Sequence, residues 1–208
     1  MARGWPVTLT EGHLSLRPLL RSDAKTWSAT RIGNEAWLKP WEATPGLVQP
    51  KWRDCSTEAV FHAMRRRLAR EARHGKSIPF AIAWDGRLIG QLTFGSIVRG
   101  AFESCYAGYW IDRAFAGRGA MPTALAMGVD HCFGPVGLHR VEVNVRPENE
   151  PSRRVVEKLG FREEGLQRNY LAIGGAYRDH IGYALTSEDV PLGLLARWKA
   201  DTPIPPAG

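Results

Sequence analysis

The segment Phe115-Ala116-Gly117-Arg118-Gly119-Ala120-Met121-Pro122 constrains this chain more than any other. Before it, Tyr106-Ala107-Gly108-Tyr109-Trp110-Ile111 is aromatic and strand-like. After it, Met121, Leu125, Val129 and Cys132 recur at helical spacing. A glycine-rich turn that leaves a strand and opens a helix presents free backbone N–H groups at the positive end of a helix dipole, which is a built-in phosphate site. The turn lacks the third glycine of a dinucleotide fingerprint, because position 122 is proline, and no Gly-Lys-Ser/Thr follows as in a P-loop. Taken alone, Gly117-x-Gly119 fits a plain strand-to-helix connection equally well.

The flanking patterns place this turn in a mixed α/β sheet. His13 to Arg17 alternates polar and apolar residues, and Ser22-Asp23 opens a helix over Ala24 to Arg31. Pro40, Pro45 and Pro50 space out a long loop flanked by Trp37 and Trp41, a composition suited to binding. Ser56 to Arg73 reads as a basic helix with Val60, Met64 and Leu68 as its apolar stripe. Ile78–Trp84 and Arg87–Val98 read as strands joined by an Asp85-Gly86 hairpin, and Ser104–Ile111 as a third. Downstream come the glycine turn and its helix, a strand over His139–Val145, a helix over Glu150–Leu159, and two strands over Phe161–Ile173 and Tyr177–Leu185 joined by Gly174-Gly175. The expected fold is α/β: a mixed, mostly antiparallel central sheet of about seven strands with flanking helices. One domain is expected over residues 1–195, with a proline-rich tail over 196–208.

Composition narrows the class. An apolar share of 44% over 208 residues can build a core, yet no apolar run approaches the ~20 residues that cross a membrane. The N-terminal residues lack the apolar stretch of a signal peptide, so a cytoplasmic location and no membrane partner are expected. Cys55, Cys105 and Cys132 are odd in number and widely spaced, which argues for reduced thiols and against a disulfide framework or a zinc site. No metal is expected. The net charge is +7, and much of it sits in Arg65, Arg66, Arg67, Arg70 and Arg73; this is either a solvated helix face or a contact to a polyanion such as nucleic acid.

The second half supplies a more specific pattern. Val141-Glu142-Val143-Asn144-Val145-Arg146-Pro147-Glu148-Asn149-Glu150-Pro151-Ser152 is a strand, an asparagine-bearing loop and a helix start, and that helix finishes on Leu159-Gly160-Phe161. With the glycine turn, this resembles the Gcn5-related N-acetyltransferase (GNAT) superfamily. Leu138 to Glu142, Arg162 to Gly165, Asn169 to Leu171 and Tyr177 to His180 resemble its RimJ branch, which acetylates the N-terminal alanine of a small-subunit ribosomal protein. The resemblance implies acetyl-CoA as co-substrate and a protein N-terminus beginning with Ala, Ser or Thr as acceptor. Sister branches that use amino acids, polyamines or antibiotics supply the alternative acceptor. Monomer and homodimer stay open.

The resemblance also assigns expected roles. Backbone amides of Gly117, Arg118, Gly119, Ala120 and Met121 would hold the pyrophosphate, since Pro122 has no N–H to give. Ala116 departs from the family's usual polar residue at the first loop position, at little cost to contacts made by backbone. Asn149 would touch the pantetheine arm or its loop, and Tyr109, Trp110 and Ile111 would supply the backbone N–H facing the thioester carbonyl. Ser152 is the candidate general acid for the leaving thiolate, or else only a helix cap. The family's glutamate base would fall at Asn144, which leaves Glu142 on the same strand face as a weak base candidate or a partner for an arginine. A strong base is not required for an amine of pKa about 7.7–8.0. Trp37 and Trp41 on one wall, and Asn144, Tyr170 and Asp179 on the other, would border the acceptor. Asp179 would either hold a cationic N-terminus or pair with a neighbouring arginine.

Overall fold

Alternation and turn chemistry fold the chain into one sheet with helices on both faces. The computed structural model describes residues 3–44 and 46–201. In chain order the elements are β1 (Leu9–Glu11), β2 (Leu14–Arg17), α1 (Ala24–Gly33), α2 (Glu35–Leu38), α3 (Glu58–Arg73), β3 (Ile78–Trp84), β4 (Arg87–Val98) and β5 (Ser104–Ile111). Then follow α4 (Ala120–Phe133), β6 (Arg140–Val145), α5 (Glu150–Lys158), β7 (Arg162–Ile173), β8 (Ala176–Thr186) and α6 (Leu194–Asp201). The strand order is β1-β2-β3-β4-β5-β6-β8-β7, and every neighbouring pair is antiparallel except β5 with β6.

The bounds of β3, β4 and β5 are those expected from alternation. Asp85 (φ 47°) and Gly86 (φ 82°) both adopt the left-handed turn that the Asp-Gly pair suits. The described sheet has eight strands instead of about seven, because β1 pairs with β2 across Gly12 and is too short to carry a readable alternation. The second difference is α6. The expected boundary at 195 falls inside this helix, so the packed unit extends through Asp201. Residues 202–208 of the expected tail lie outside the described residues.

The sheet faces two cores. On one side, Leu16, Phe80, Ile82, Leu92 and Phe94 pack with Val141, Val143 and Val145 against the buried residues of α4, including Leu125 and Val129. On the other, Trp27 of α1 and Phe61 and Leu68 of α3 pack on Ala81 and Leu88, with Met64 and Trp110 alongside. Gly128 is where α4 meets the sheet: a Cβ there would lie 2.6 Å from the Phe94 ring. α6 is tied to α4 by Asp130, whose carboxylate accepts the Leu194 and Leu195 N–H groups at 2.6 and 3.0 Å. The substitution Asp130→Ala is expected to cost about 1–2 kcal/mol, as loss of a helix cap does. Trypsin should then cut faster at Arg197 and Lys199, checked by limited proteolysis with mass spectrometry.

The β5–β6 pairing positions the site. These strands stay in register only from Ser104–Arg140 to Tyr106–Glu142. Beyond Tyr106 they part, and the residues toward Ile111 and Val145 border an opening through the sheet.

Candidate active site

A cavity of about 690 Å³ occupies this opening. Its walls include Gly108 to Ile111 of β5, Gly117 and Gly119 of the turn, Asn149 and Ser152 at the start of α5, and Trp37, Trp41 and Glu42 from the segment after α1. Residues far apart in sequence thus share one cleft.

At one end lies the glycine turn, with its backbone open to the cavity at Gly117 and Gly119. Gly117 and Gly119 have φ of 76° and 78°, a region that disfavours any side chain, and a Cβ on Gly117 would meet nothing within 4 Å. Ala116 N–H closes the preceding turn on Arg113, and Thr123 N–H opens the helix ladder on Gly119, at 3.1 and 3.0 Å. Among the described residues, the amides of 117–121 find no loop or turn partner between them. Pro122 sits in the first turn of α4, where its missing N–H costs nothing. The Arg118 guanidinium lies 6.0 Å from the centre of the Phe115 ring. Arg154 and Lys158, one turn apart on α5, line the same cavity and had not been anticipated, although their four-residue spacing on a polar face is readable. Trp198 of α6 closes the wall beside Gly119, with its indole N–H donating to Thr123 Oγ1 at 3.0 Å.

At the centre, Tyr109 Oη and Ser152 Oγ are 2.9 Å apart. Burial raises the Tyr109 phenol well above its ordinary pKa, against the lowering effect of its bond to Ser152, so it stays protonated. Ser152 is not the helix cap: Asn149 Oδ1 accepts the Ser152 N–H at 3.3 Å and fills that role. The Ser152 hydroxyl is thereby left to Tyr109 and the cavity. Ile111 carbonyl accepts the Trp37 indole N–H at 3.1 Å, which fixes the tryptophan segment to the open end of β5. Trp110 turns to the opposite face, among the α1 and α3 side chains.

The acceptor-side candidates are distributed differently from the expectation. Glu142 accepts from Arg140 Nε at 2.8 Å, and the same guanidinium meets Glu164. Of the readings open for Glu142, the geometry realises the arginine pair, made by its neighbour two residues back on the same face. Asn144 Nδ2 donates to Tyr170 Oη at 3.0 Å, while Asn144 Oδ1 is buried without a partner. Tyr170 packs on His180, ring centres 5.3 Å apart. Asp179 Oδ1 accepts the Asn169 N–H at 2.8 Å, supporting a residue with φ of 49° at an irregularity in β7. None of Glu142, Asn144, Tyr170 and Asp179 is among the residues lining the cavity. Trp41 does line it, with the Arg146 guanidinium 5.4 Å from its ring centre and Arg146 Nη1 donating to Pro40 carbonyl at 3.1 Å. The loop is pinned further by Thr44 N–H on Ala172 carbonyl at 2.9 Å.

The sequence reading missed Arg31. It is 3% exposed and lies 4.9, 4.4 and 5.7 Å from the ring centres of Trp27, Trp52 and Trp110. Its Nη2 is 3.0 Å from Glu42 Oε1. Among the described residues no cluster of three His, Cys, Asp or Glu is placed to hold a metal ion, and no helix is long and apolar enough to cross a membrane.

Comparison with known proteins decides the family. The profile of the Acetyltransferase (GNAT) domain matches residues 13–162. The chain belongs to the GNAT acetyltransferase family. Its eight-stranded mixed sheet is the GNAT acyltransferase fold, and RimJ of Mycobacterium smegmatis, solved in complex with CoA-disulfide, superposes with a TM-score of 0.91 at 42% identity, covering 96% of this chain and 97% of that one. The [Ribosomal protein uS5]-alanine N-acetyltransferase of Escherichia coli is 31% identical over 187 residues, 88% of this chain and 92% of that protein. The probable N-acetyltransferase YjcK of Bacillus subtilis is 41% identical over 107 residues, 51% of this chain and 59% of that protein. Within this GNAT frame the β5–β6 opening, the glycine turn and the Tyr109–Ser152 pair share one cleft.

Proposed function

We propose that this GNAT enzyme transfers an acetyl group from acetyl-CoA to the α-amino group of a protein N-terminus, the acceptor being a cytoplasmic ribosomal protein that begins with Ala, Ser or Thr. The observation that carries this reading is the single cleft joining an anion cradle at residues 117–121, the Tyr109–Ser152 pair and the tryptophan-lined end at Trp37 and Trp41. The likeness to enzymes named for ribosomal-protein alanine acetylation supports the acceptor class.

The cradle suits a pyrophosphate. Gly117, Gly119 and Met121 of the turn line the same space as the cations Arg154 and Lys158, and both glycines have positive φ, whereas Arg118 and Ala120 do not line it. Asn149 keeps α5 capped beside them. When bound, acetyl-CoA supplies an activated acetyl group on a thioester. The chain's own residues then have three tasks. Trp37, on Ile111 carbonyl, holds the tryptophan wall against β5 and excludes water from the acceptor amine. Over Tyr109–Ile111 β5 still pairs with β4 but no longer with β6, and the backbone N–H groups on that open side would face the acetyl carbonyl. Ser152 Oγ–H, held by the protonated Tyr109, delivers a proton to the departing sulfur. No side chain acts as a covalent nucleophile, so the amine attacks directly.

Two measurements test the reading. CoA should raise the melting temperature while NAD and ATP do not, because only a ligand of the native state stabilises it. Peptides beginning with Ala, Ser or Thr should release thiol from acetyl-CoA; turnover of small amines with none of these peptides would overturn the assignment. We also infer a weak contact of α3 with ribosomal RNA through Arg65, Arg66 and Arg67. Arg66 and Arg67 are exposed, and Arg67 spends part of its charge on Glu71 at 2.9 Å. Charge reversal at these three positions should flatten the salt dependence of RNA binding; an unchanged slope removes this contact.

A further inference from the structure

We propose that Glu42 is the subsite for the acceptor's ammonium group, a role that rests on the N-terminal acetylation read above. The cleft is polar in the electrical sense. Arg154, Lys158 and the α4 N-terminus make its glycine end positive, Arg113 also lines it, and Glu42 is the one acidic side chain lining it among the described residues. A ligand pair with a pyrophosphate at one end and a cationic amine at the other matches that arrangement.

The surroundings of Glu42 fit an ammonium. It follows directly on Trp41, and Trp37 and Trp41 line the same cavity, so a cation there meets aromatic faces as well as a carboxylate. Its side chain is 43% exposed, so it remains accessible from the cleft. Arg31 approaches from the buried side, with Nη2 3.0 Å from Oε1 and Nη1 3.5 Å from Oε2. A carboxylate has about four lone-pair sites, so this fork orients Glu42 and leaves acceptor capacity for an incoming N–H. Arg31 is itself fixed by three indole rings and by the Trp52 indole N–H on its carbonyl at 2.8 Å. It is a positioning residue. The other acidic candidates lie off the cleft: neither Glu142, paired with Arg140, nor Asp179, which accepts the Asn169 N–H, lines it.

The test compares wild type with Glu42→Gln, which keeps the shape and removes the charge. In the presence of CoA, which cannot donate acetyl, wild type should bind an alanine-first peptide about 10- to 100-fold more tightly than the same peptide with a propionyl group in place of alanine, the range of one charge-assisted hydrogen bond. Glu42→Gln should erase that preference, and Glu42→Asp, which keeps the charge on a shorter arm, should retain part of it. In turnover, Glu42→Gln should raise the peptide KM by a similar factor near neutral pH and leave the acetyl-CoA KM in place. The ratio of mutant to wild-type peptide KM should fall toward one as pH passes the amine's pKa of about 7.7–8.0, because the uncharged amine gains nothing from a carboxylate. A purely structural loss would be independent of pH. An unchanged preference for the ammonium peptide in Glu42→Gln, or a KM ratio flat with pH, overturns the subsite. Wild type that acetylates no N-terminal peptide overturns the functional reading instead, and this inference with it.

Discussion

Replacing Ser152 by alanine is expected to lower kcat about 100-fold while the KM for acetyl-CoA hardly changes, the signature of a lost proton donor. Replacing Tyr109 by phenylalanine removes the one side-chain partner of the Ser152 hydroxyl among the described residues, 2.9 Å away, and should lower kcat about 10-fold. The two losses should not add. Once either hydroxyl is gone the relay is broken, so the double variant should resemble Ser152→Ala alone. Burial keeps Tyr109 protonated at ordinary assay pH, so an alkaline fall in kcat at moderate pH would not report its ionisation. If Ser152→Ala instead raised the acetyl-CoA KM at constant kcat, Ser152 would be a binding residue. Steady-state kinetics on the three variants separates these outcomes.

Gly90→Ala is expected to have the largest effect on stability of any single methyl added to the sheet. Gly90 lies opposite Ile111, and a Cβ on it would overlap the Trp110 carbonyl oxygen and come within 3.1 Å of the Ile111 Cα. Both obstacles are backbone, which cannot swing aside as a side-chain tip can. A cost of about 3 kcal/mol, the upper range for overpacking, corresponds to a fall of roughly 10 °C in Tm for a chain of this size. Gly95→Ala, five residues along the same strand with nothing within 4 Å of its Cβ, is the control and should move Tm little. Because Ile111 also holds the Trp37 indole, Gly90→Ala should disturb the cleft before it unfolds the protein. Calorimetry and the peptide KM, measured together, check both parts.

Where local chemistry decides structure, the sequence was readable. The Asp85-Gly86 turn and the alternation on either side set β3 and β4 residue by residue. The glycine turn stood out because two glycines separate an aromatic strand from an apolar helix, and only the pattern downstream gave it a use beyond a plain connection. The missing parts depend on partners distant in the chain. α6 is capped by Asp130, 64 residues earlier, and all of it beyond Leu195 read as a tail. Tyr109 and Ser152 meet across 43 residues through the sheet topology. Arg31 looked like one more polar position on a surface helix; only three tryptophans converging from α1, the following loop and β5 make it a buried cation. Glu142 is the instructive intermediate case. Its pairing with Arg140 follows from two-residue periodicity, and the reading had left that alternative open. Its exclusion from the cavity follows from where β5 and β6 part, which no local pattern encodes.

Trp198 carries a consequence for the order of events during synthesis. The ring that closes the cleft beside Gly119 belongs to the last described helix, and that helix is latched to β1 by Lys199 on Glu11 at 2.6 Å, 188 residues back. While the chain emerges from the ribosome, the sheet and the glycine turn can form early, since their elements are complete well before. The pocket itself stays one wall short until Trp198 has cleared the exit tunnel. A nascent chain stalled upstream of Trp198 would carry the glycine turn with that wall of the cleft missing.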